Sequence, residues 1–191
     1  MPDVWQAMNL RPIILDLCGG TGAWSQPYRD AGYDVQVVDP LASGGDVRLF
    51  EYPVDPVVGV LAAPPCTHFA GSGARWWVGK GTPALLEGLA VVDACLRIIM
   101  VVGPTWWVLE NPVGRLRRYL GPPVMSFDPC DYGDPYTKRT QLWGVFNEPK
   151  QTPVPATEGS KMHLVPPGPD RMSIRSATPP GFARAFFEAN Q

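Results

Sequence analysis

The run Ile13-Ile14-Leu15-Asp16-Leu17, stopped by Cys18-Gly19-Gly20-Thr21-Gly22, constrains this chain more than any other stretch. A short continuous apolar run fits a strand buried on both faces, as in a parallel sheet. The glycines that follow let the backbone turn with positive φ and let a ligand approach it closely. A helix is expected next, from Ala23 to Ala31, with Pro27 tolerated only near its first turn and Gly32 ending it.

The same alternation continues. Tyr33 to Val38 reads as a second strand ended by Asp39-Pro40, and Asp46-Val47 falls in a loop. Val57 to Ala62 is a third strand running into Pro64-Pro65-Cys66. Thr67 to Gly81 is glycine-rich and aperiodic, which predicts a mobile loop. Thr82 as N-cap with Pro83 at the first helical position starts a helix that Gly103 closes. Trp106 to Leu109 is strand-like and ends at Glu110-Asn111-Pro112. Strands and helices alternating in this way predict an α/β doubly wound sheet. Ligands of such sheets gather at the carboxyl ends of the strands, where Asp16, Asp39, Cys66 and Glu110 fall.

The last third changes character. Leu142 to Phe146 fits an antiparallel strand, and Pro180 to Ala189 a terminal helix. Between them, Asn147 to Ser173 carries six prolines in 27 residues, so it is expected to be loop or extended chain.

Composition narrows the function classes. At 191 residues the chain suits one domain, 1–191, and its 20 glycines and 23 prolines imply many loops. A net charge of −2 with 18% charged residues excludes a strongly basic nucleic-acid coat or a polybasic membrane binder. Residues 1–109 hold ten acidic and six basic side chains, whereas 110–191 hold eight and ten. A phosphate-facing surface is therefore expected in the C-terminal part. Cys18, Cys66, Cys95 and Cys130 form no CxxC pair, so no metal site is expected. Met1 to Leu10 lacks the apolar core of a signal peptide, and Glu87, Asp93 and Arg97 interrupt the apolar run Ala84 to Val102. The expectation is a cytoplasmic protein with reduced thiols and no membrane contact.

The glycine turn alone is shared by nucleotide, flavin and S-adenosylmethionine binders. Asp16 shifts the balance, because a carboxylate at the turn repels a pyrophosphate but attracts an ammonium or sulfonium. Asp39 is placed to accept hydrogen bonds from ribose hydroxyls. Asp46 is a candidate acceptor for an adenine amino group, with a solvated loop residue as the competing reading.

Ala63-Pro64-Pro65-Cys66-Thr67-His68-Phe69 puts a cysteine past a buried strand and ahead of a glycine-rich loop, where a nucleophile is exposed and then covered. Cys95 reads as core and Cys130 as a packed loop residue. Glu110 follows Trp106-Trp107-Val108-Leu109, so partial desolvation should raise its pKa and favour a protonated donor. Ion pairing with Arg115, Arg117 or Arg118 is the alternative. Arg139, in Thr137-Lys138-Arg139-Thr140-Gln141-Leu142-Trp143, adds a guanidinium beside an aromatic strand, where a surface role is also open.

Taken in order, DLCGGTG, PPCTHF, ENP and KRTQLW resemble the motifs of the DNA cytosine C5 methyltransferase family, especially its short phage and bacterial members. The resemblance covers roughly three quarters of the chain. It implies a Rossmann-like S-adenosylmethionine-dependent methyltransferase fold, with a mostly parallel doubly wound sheet and an antiparallel C-terminal strand. Cys66 would attack C6 of cytosine, Glu110 would donate to ring N3, and Arg139 would bind the ring carbonyl oxygen. S-adenosylmethionine would be held by Asp16, Cys18, Gly20, Gly22, Trp24, Asp39, Asp46 and Pro65, with Trp24 replacing the aromatic residue the family has at position 18. DNA would be the substrate, a paired base would have to be flipped out, and a specificity partner or second copy would help select sites.

The sequence departs from the family pattern in several places. Thr67 and Ala70 stand for Gln and Ser after the nucleophile, and Pro112 for Val after Glu-Asn. Of the arginine motif, only the central Arg139 remains. The sizeable target-recognition domain is replaced by the proline-rich stretch 147–173. The segment Arg175 to Ala183 resembles the family's final motif, with Arg-Ser for Gly-Asn. Three other readings stay open: a noncatalytic accessory subunit, an enzyme acting on RNA or a free nucleotide, and an amino-methyltransferase. Ala63 and Cys66 are the wrong residue types for the last.

Overall fold

A computed structural model describes residues 12–42 and 44–191. The reading of Met1 to Leu10 as lacking a signal peptide lies outside them. The expected doubly wound sheet is present, with six strands in the order β2-β1-β3-β4-β6-β5. The strands are β1 (Ile13–Leu17), β2 (Asp34–Val38), β3 (Val57–Ala62), β4 (Trp106–Pro112), β5 (Met125–Phe127) and β6 (Thr140–Val145). The first four are mutually parallel, while β6 runs antiparallel to both β4 and β5.

Among the described residues, five α-helices accompany the sheet: α1 (Gln26–Asp30), α2 (Trp77–Val102), α3 (Arg117–Leu120), α4 (Arg171–Ser176) and α5 (Pro180–Ala189). Period-two alternation splits the apolar side chains into two cores. Leu15, Leu17, Val60, Ala62 and Leu109 face Val92, Cys95 and Ile98 of α2. Ile14, Leu61, Val108 and Leu142 face Trp24, Tyr28, Phe182 and Phe186 on the α1–α5 side. The Asn190 side chain accepts from the Asn147 N–H at 2.7 Å and donates back to its carbonyl at 3.0 Å, tying the end of α5 to the segment after β6.

Three expectations are corrected. The helix expected over Ala23 to Ala31 is only α1, because residues 23–25 form turns that carry the chain from the glycines to Pro27. The loop expected over Thr67 to Gly81 is instead helical, with 3-10 turns Cys66–His68 and Gly71–Trp76 leading into α2. Gly81 (φ 70°, ψ −174°) kinks α2 just before Thr82-Pro83, so the main run begins where the sequence indicates. Strand β4 extends to Pro112, which puts Glu110 inside the ladder opposite Leu142. The first half of the proline-rich stretch is irregular chain pinned to residues 130–135, through N–H bonds from Thr152 to Asp131, Val154 to Cys130 and Glu158 to Pro135, while its second half contains the 3-10 turn Lys161–His163 and the start of α4. No helix among the described residues is long and apolar enough to cross a membrane.

Candidate active site

The sheet order reverses between β1 and β3, since β2 lies on one side of β1 and β3 on the other. A crevice opens at such a switch point, outside the carboxyl ends of the strands. Here it is bounded by the glycine turn after β1 and by Ala63, Pro64, Pro65 and Cys66 after β3. Register explains how the acids converge. Asp16 sits opposite Leu61, and Leu61 opposite Val108, in one row across three strands. Glu110 lies two residues beyond Val108 and therefore on the same face. Both carboxyl groups line the cleft.

Asp16 is fully buried, and burial raises its pKa to about 6 against the pull of the Ser25 hydroxyl and of Arg29. Ser25 Oγ donates to Oδ2 at 2.5 Å, while Oδ1 has no partner. The glycine turn folds over this carboxylate so closely that a Cβ on Gly19 would lie 2.4 Å from Asp16 Cγ. Gly20 and Gly22 adopt left-handed φ values of 52° and 70°. Cys18 does so too, at 57°, the one non-glycine residue in that region among the described residues. Its N–H donates to the Val38 carbonyl at 2.8 Å, and its thiol, shielded beside Cys95, is pushed up in pKa.

Asp39, at the end of β2, accepts from the Gly20 N–H at 3.0 Å and the Leu41 N–H at 2.8 Å. It braces the turn from behind and retains free lone pairs. Asp46 is a different matter: its carboxylate N-caps the turn Val47–Leu49 and grips the Arg48 guanidinium, away from the cleft. The side-chain and backbone hydrogen bonds from Arg48 hold its pKa low. Trp24 borders the cleft but is only 2% exposed, packed against Phe182 and Phe186, so it offers no face for adenine. The residue is core.

Cys66 begins a 3-10 turn whose preceding residue is Pro65, and it remains accessible where the cleft meets a second, larger hollow. Desolvation and the Glu110 charge push its thiol pKa up, while Lys138 and Arg175 pull it down. Glu110 is raised by desolvation, partly offset by Lys138. No ion pair involves Glu110 among the described residues. Arg115 instead donates to the His68 carbonyl at 2.6 Å and stacks on Trp77. The desolvated acid is thus the reading that fits. Asn111 Nδ2 donates to the Pro64 carbonyl at 2.8 Å, fastening the Glu110 strand to the Cys66 loop.

Arg139 does not join them. Its guanidinium pairs with Asp128 at 3.2 Å, is 54% exposed, and lines the larger hollow rather than the cleft. The cations that reach the cleft are Lys138 and Arg175, neither singled out from sequence. Ser25, the partner of Asp16, was also missed; its place before a proline-led helix reads as an ordinary N-cap.

The cleft itself encloses about 100 Å³, and Arg175, Ser176, Ala177 and Thr178 form its outer wall. The cleft opens through Cys66, Pro112, Lys138, Arg175 and Ser176 into the larger hollow of about 830 Å³. The described residues contain no group of three or more potential metal-ligating side chains.

No family model matches the chain, and no curated protein sequence matches it significantly. Among solved structures, the chain is similar to an E. coli protein described as "putative DNA modification methyltransferase encoded within prophage Cp-". Identity is 19% and the TM-score 0.47, over 70% of this chain and 46% of that one. The chain therefore spans less than half the length of that structure.

Proposed function

We propose that this chain is an S-adenosylmethionine-dependent methyltransferase that modifies C5 of cytosine in DNA through a covalent Cys66–C6 bond. One observation carries the reading: an accessible cysteine and a desolvated glutamate share a cleft with a buried carboxylate beneath a glycine turn. Residues 1–191 act as one catalytic unit, with 147–173 in place of a recognition domain.

The residues present suit the cofactor. The unpartnered Asp16 Oδ1 offers a buried negative charge to an ammonium or sulfonium, and Asp39 keeps acceptor capacity for ribose hydroxyls. When bound, S-adenosylmethionine supplies an electrophilic methyl group. Of the residues expected to hold it, Gly20, Cys18, Trp24 and Pro65 line the cleft and Gly22 shapes the turn, while Asp46 lies outside that lining with its carboxylate on Arg48.

Cys66 loses its proton to solvent, with Lys138 and Arg175 stabilising the thiolate. Its sulfur forms a bond to C6, and the C5–C6 π electrons move toward N3, where Glu110 delivers its proton. C5 would take the methyl group from the bound sulfonium, whose sulfur would keep the bonding pair and leave as a neutral thioether, and N3 would return its proton to Glu110. Loss of the C5 proton to a base and cleavage of the S–C6 bond restore the aromatic ring and free Cys66. Site choice is limited by the short 147–173 stretch, so a partner or a second copy supplies specificity.

A 5-fluorocytosine oligonucleotide tests this, because fluorine at C5 cannot leave as a proton and the adduct persists. With S-adenosylmethionine present, the wild type and Cys95→Ala should form a covalent adduct and Cys66→Ala should not. An adduct on Cys66→Ala, or none on wild type, overturns the reading.

A further inference from the structure

The larger hollow shares Cys66, Lys138 and Arg175 with the cleft and extends beyond it on the side of residues 160–176. It encloses about 830 Å³ between the turns that start at Cys66 and the segment 160–176. Its basic lining residues are Lys138, Arg139, His163, Arg171 and Arg175, and its one acidic lining residue is Asp128. Asp128 is already engaged, by the Arg139 guanidinium and by the Lys138 N–H. Lys138, Arg171 and Arg175 therefore have no carboxylate partner among the described residues. The Arg171 Nε–H is buried with nothing to donate to. In a chain of net charge −2, unneutralised cations gathered around one hollow point to a polyanionic ligand.

The rim narrows the choice. Met172 and Val113 line the hollow and are 68% and 44% exposed. Leu164 and Ile174, adjacent in sequence to lining residues, are also exposed. Trp76 is exposed at the end of the Gly71–Trp76 turn, under the Arg75 guanidinium at 5.0 Å. A duplex presents sugar and phosphate to such a wall and gains little from apolar surface. A single strand presents phosphates and unstacked bases together, which matches a hollow lined both by unpaired cations and by the exposed apolar Met172 and Val113.

We propose that this hollow binds a single strand of nucleic acid, with phosphates on Lys138, Arg171 and Arg175 and bases against the apolar rim, so that one base is led to Cys66. The inference rests on the methyltransferase reading only for what happens to that base.

Fluorescence anisotropy with a labelled oligonucleotide of about 12 nucleotides tests it, using the same sequence as DNA strand, RNA strand and DNA duplex. Single strands should bind roughly tenfold or more tighter than the duplex, and the DNA and RNA arms identify the sugar preferred. Three neutralised phosphates predict a fall of about 20-fold in affinity between 50 and 200 mM salt. Arg171→Ala and Arg175→Ala should each lower the logarithmic salt slope by about 0.7, with circular dichroism confirming the fold and Lys150→Ala as an unaffected control. Duplex binding as tight as single-strand binding, or unaltered slopes in both variants, overturns the proposal. Fluorocytosine trapping on the same molecules separates the two readings. Strand binding without an adduct removes the C5 chemistry and leaves the hollow's assignment, whereas an adduct on the duplex alone does the reverse.

Discussion

The Asn111 side chain donates to the Pro64 carbonyl at 2.8 Å, across 47 residues of sequence, and so fixes the distance between the Glu110 strand and the Cys66 loop. Pro64 and Asn111 are both buried, so no water replaces the bond if it is lost. Asn111→Ala should cost about 1–3 kcal/mol in thermal or urea denaturation, the penalty for an unsatisfied buried carbonyl. Methyl transfer at saturating substrate should fall further than the remaining folded fraction explains, because the nucleophile and acid lose their common anchor.

Asp16 should make the protein less stable as pH rises. Its folded pKa of about 6 lies above the ordinary 3.8, so its protonated form favours the native state. That contribution is full below pH 3.8 and is lost as pH climbs through 6. The difference corresponds to about 3 kcal/mol at neutral pH. Asp16→Asn should flatten this part of the stability–pH curve and raise the melting temperature at pH 7. Calorimetry should show S-adenosylmethionine binding lost in the same variant.

Glu110→Gln preserves shape but removes the proton donor. Single-turnover methyl transfer should drop by roughly 10²–10⁴-fold, the usual contribution of a positioned acid. Stability should hold or rise, since a desolvated ionisable group becomes a neutral amide. Equal losses in folding and activity would show that Glu110 is merely structural.

Lys138 and Arg139 should behave differently despite being neighbours. Lys138→Met removes the cation that lowers the pKa values of both Cys66 and Glu110, so the thiolate limb of the pH–rate profile should move to higher pH. Arg139→Ala breaks only a largely exposed pair with Asp128, and the rate at the optimum should change little. The reverse pattern in pH–rate measurements would return Arg139 to the site.

Much of the fold was legible because its signals are local. Ile13–Leu17, Val57–Ala62 and Pro180–Ala189 coincide with the expected elements, as apolar runs and proline or glycine stops mark them directly. Strand β5 went unread, since three residues, Met125–Phe127, carry no measurable alternation and pair only because β6 is beside them. The Thr67–Gly81 turns were hidden for a related reason. Their glycines signal a loop, and the helical conformation is held by distant partners, such as the Val113 carbonyl for Gly71 N–H and the Phe69 carbonyl for Arg115 N–H.

The sequence alone determined the alternating sheet, the glycine turn and the positions of Asp16 and Cys66 at the ends of β1 and β3, because short-range periodicity and backbone stereochemistry set those features. Tertiary structure decided which side chains meet. It placed Asp16 and Glu110 on one face through strand register and sent Arg139 to Asp128. It also brought Lys138 and Arg175, 37 positions apart, to the same thiol. Charge pairing and burial act through space at a few ångströms, and no spacing along the chain encodes that distance.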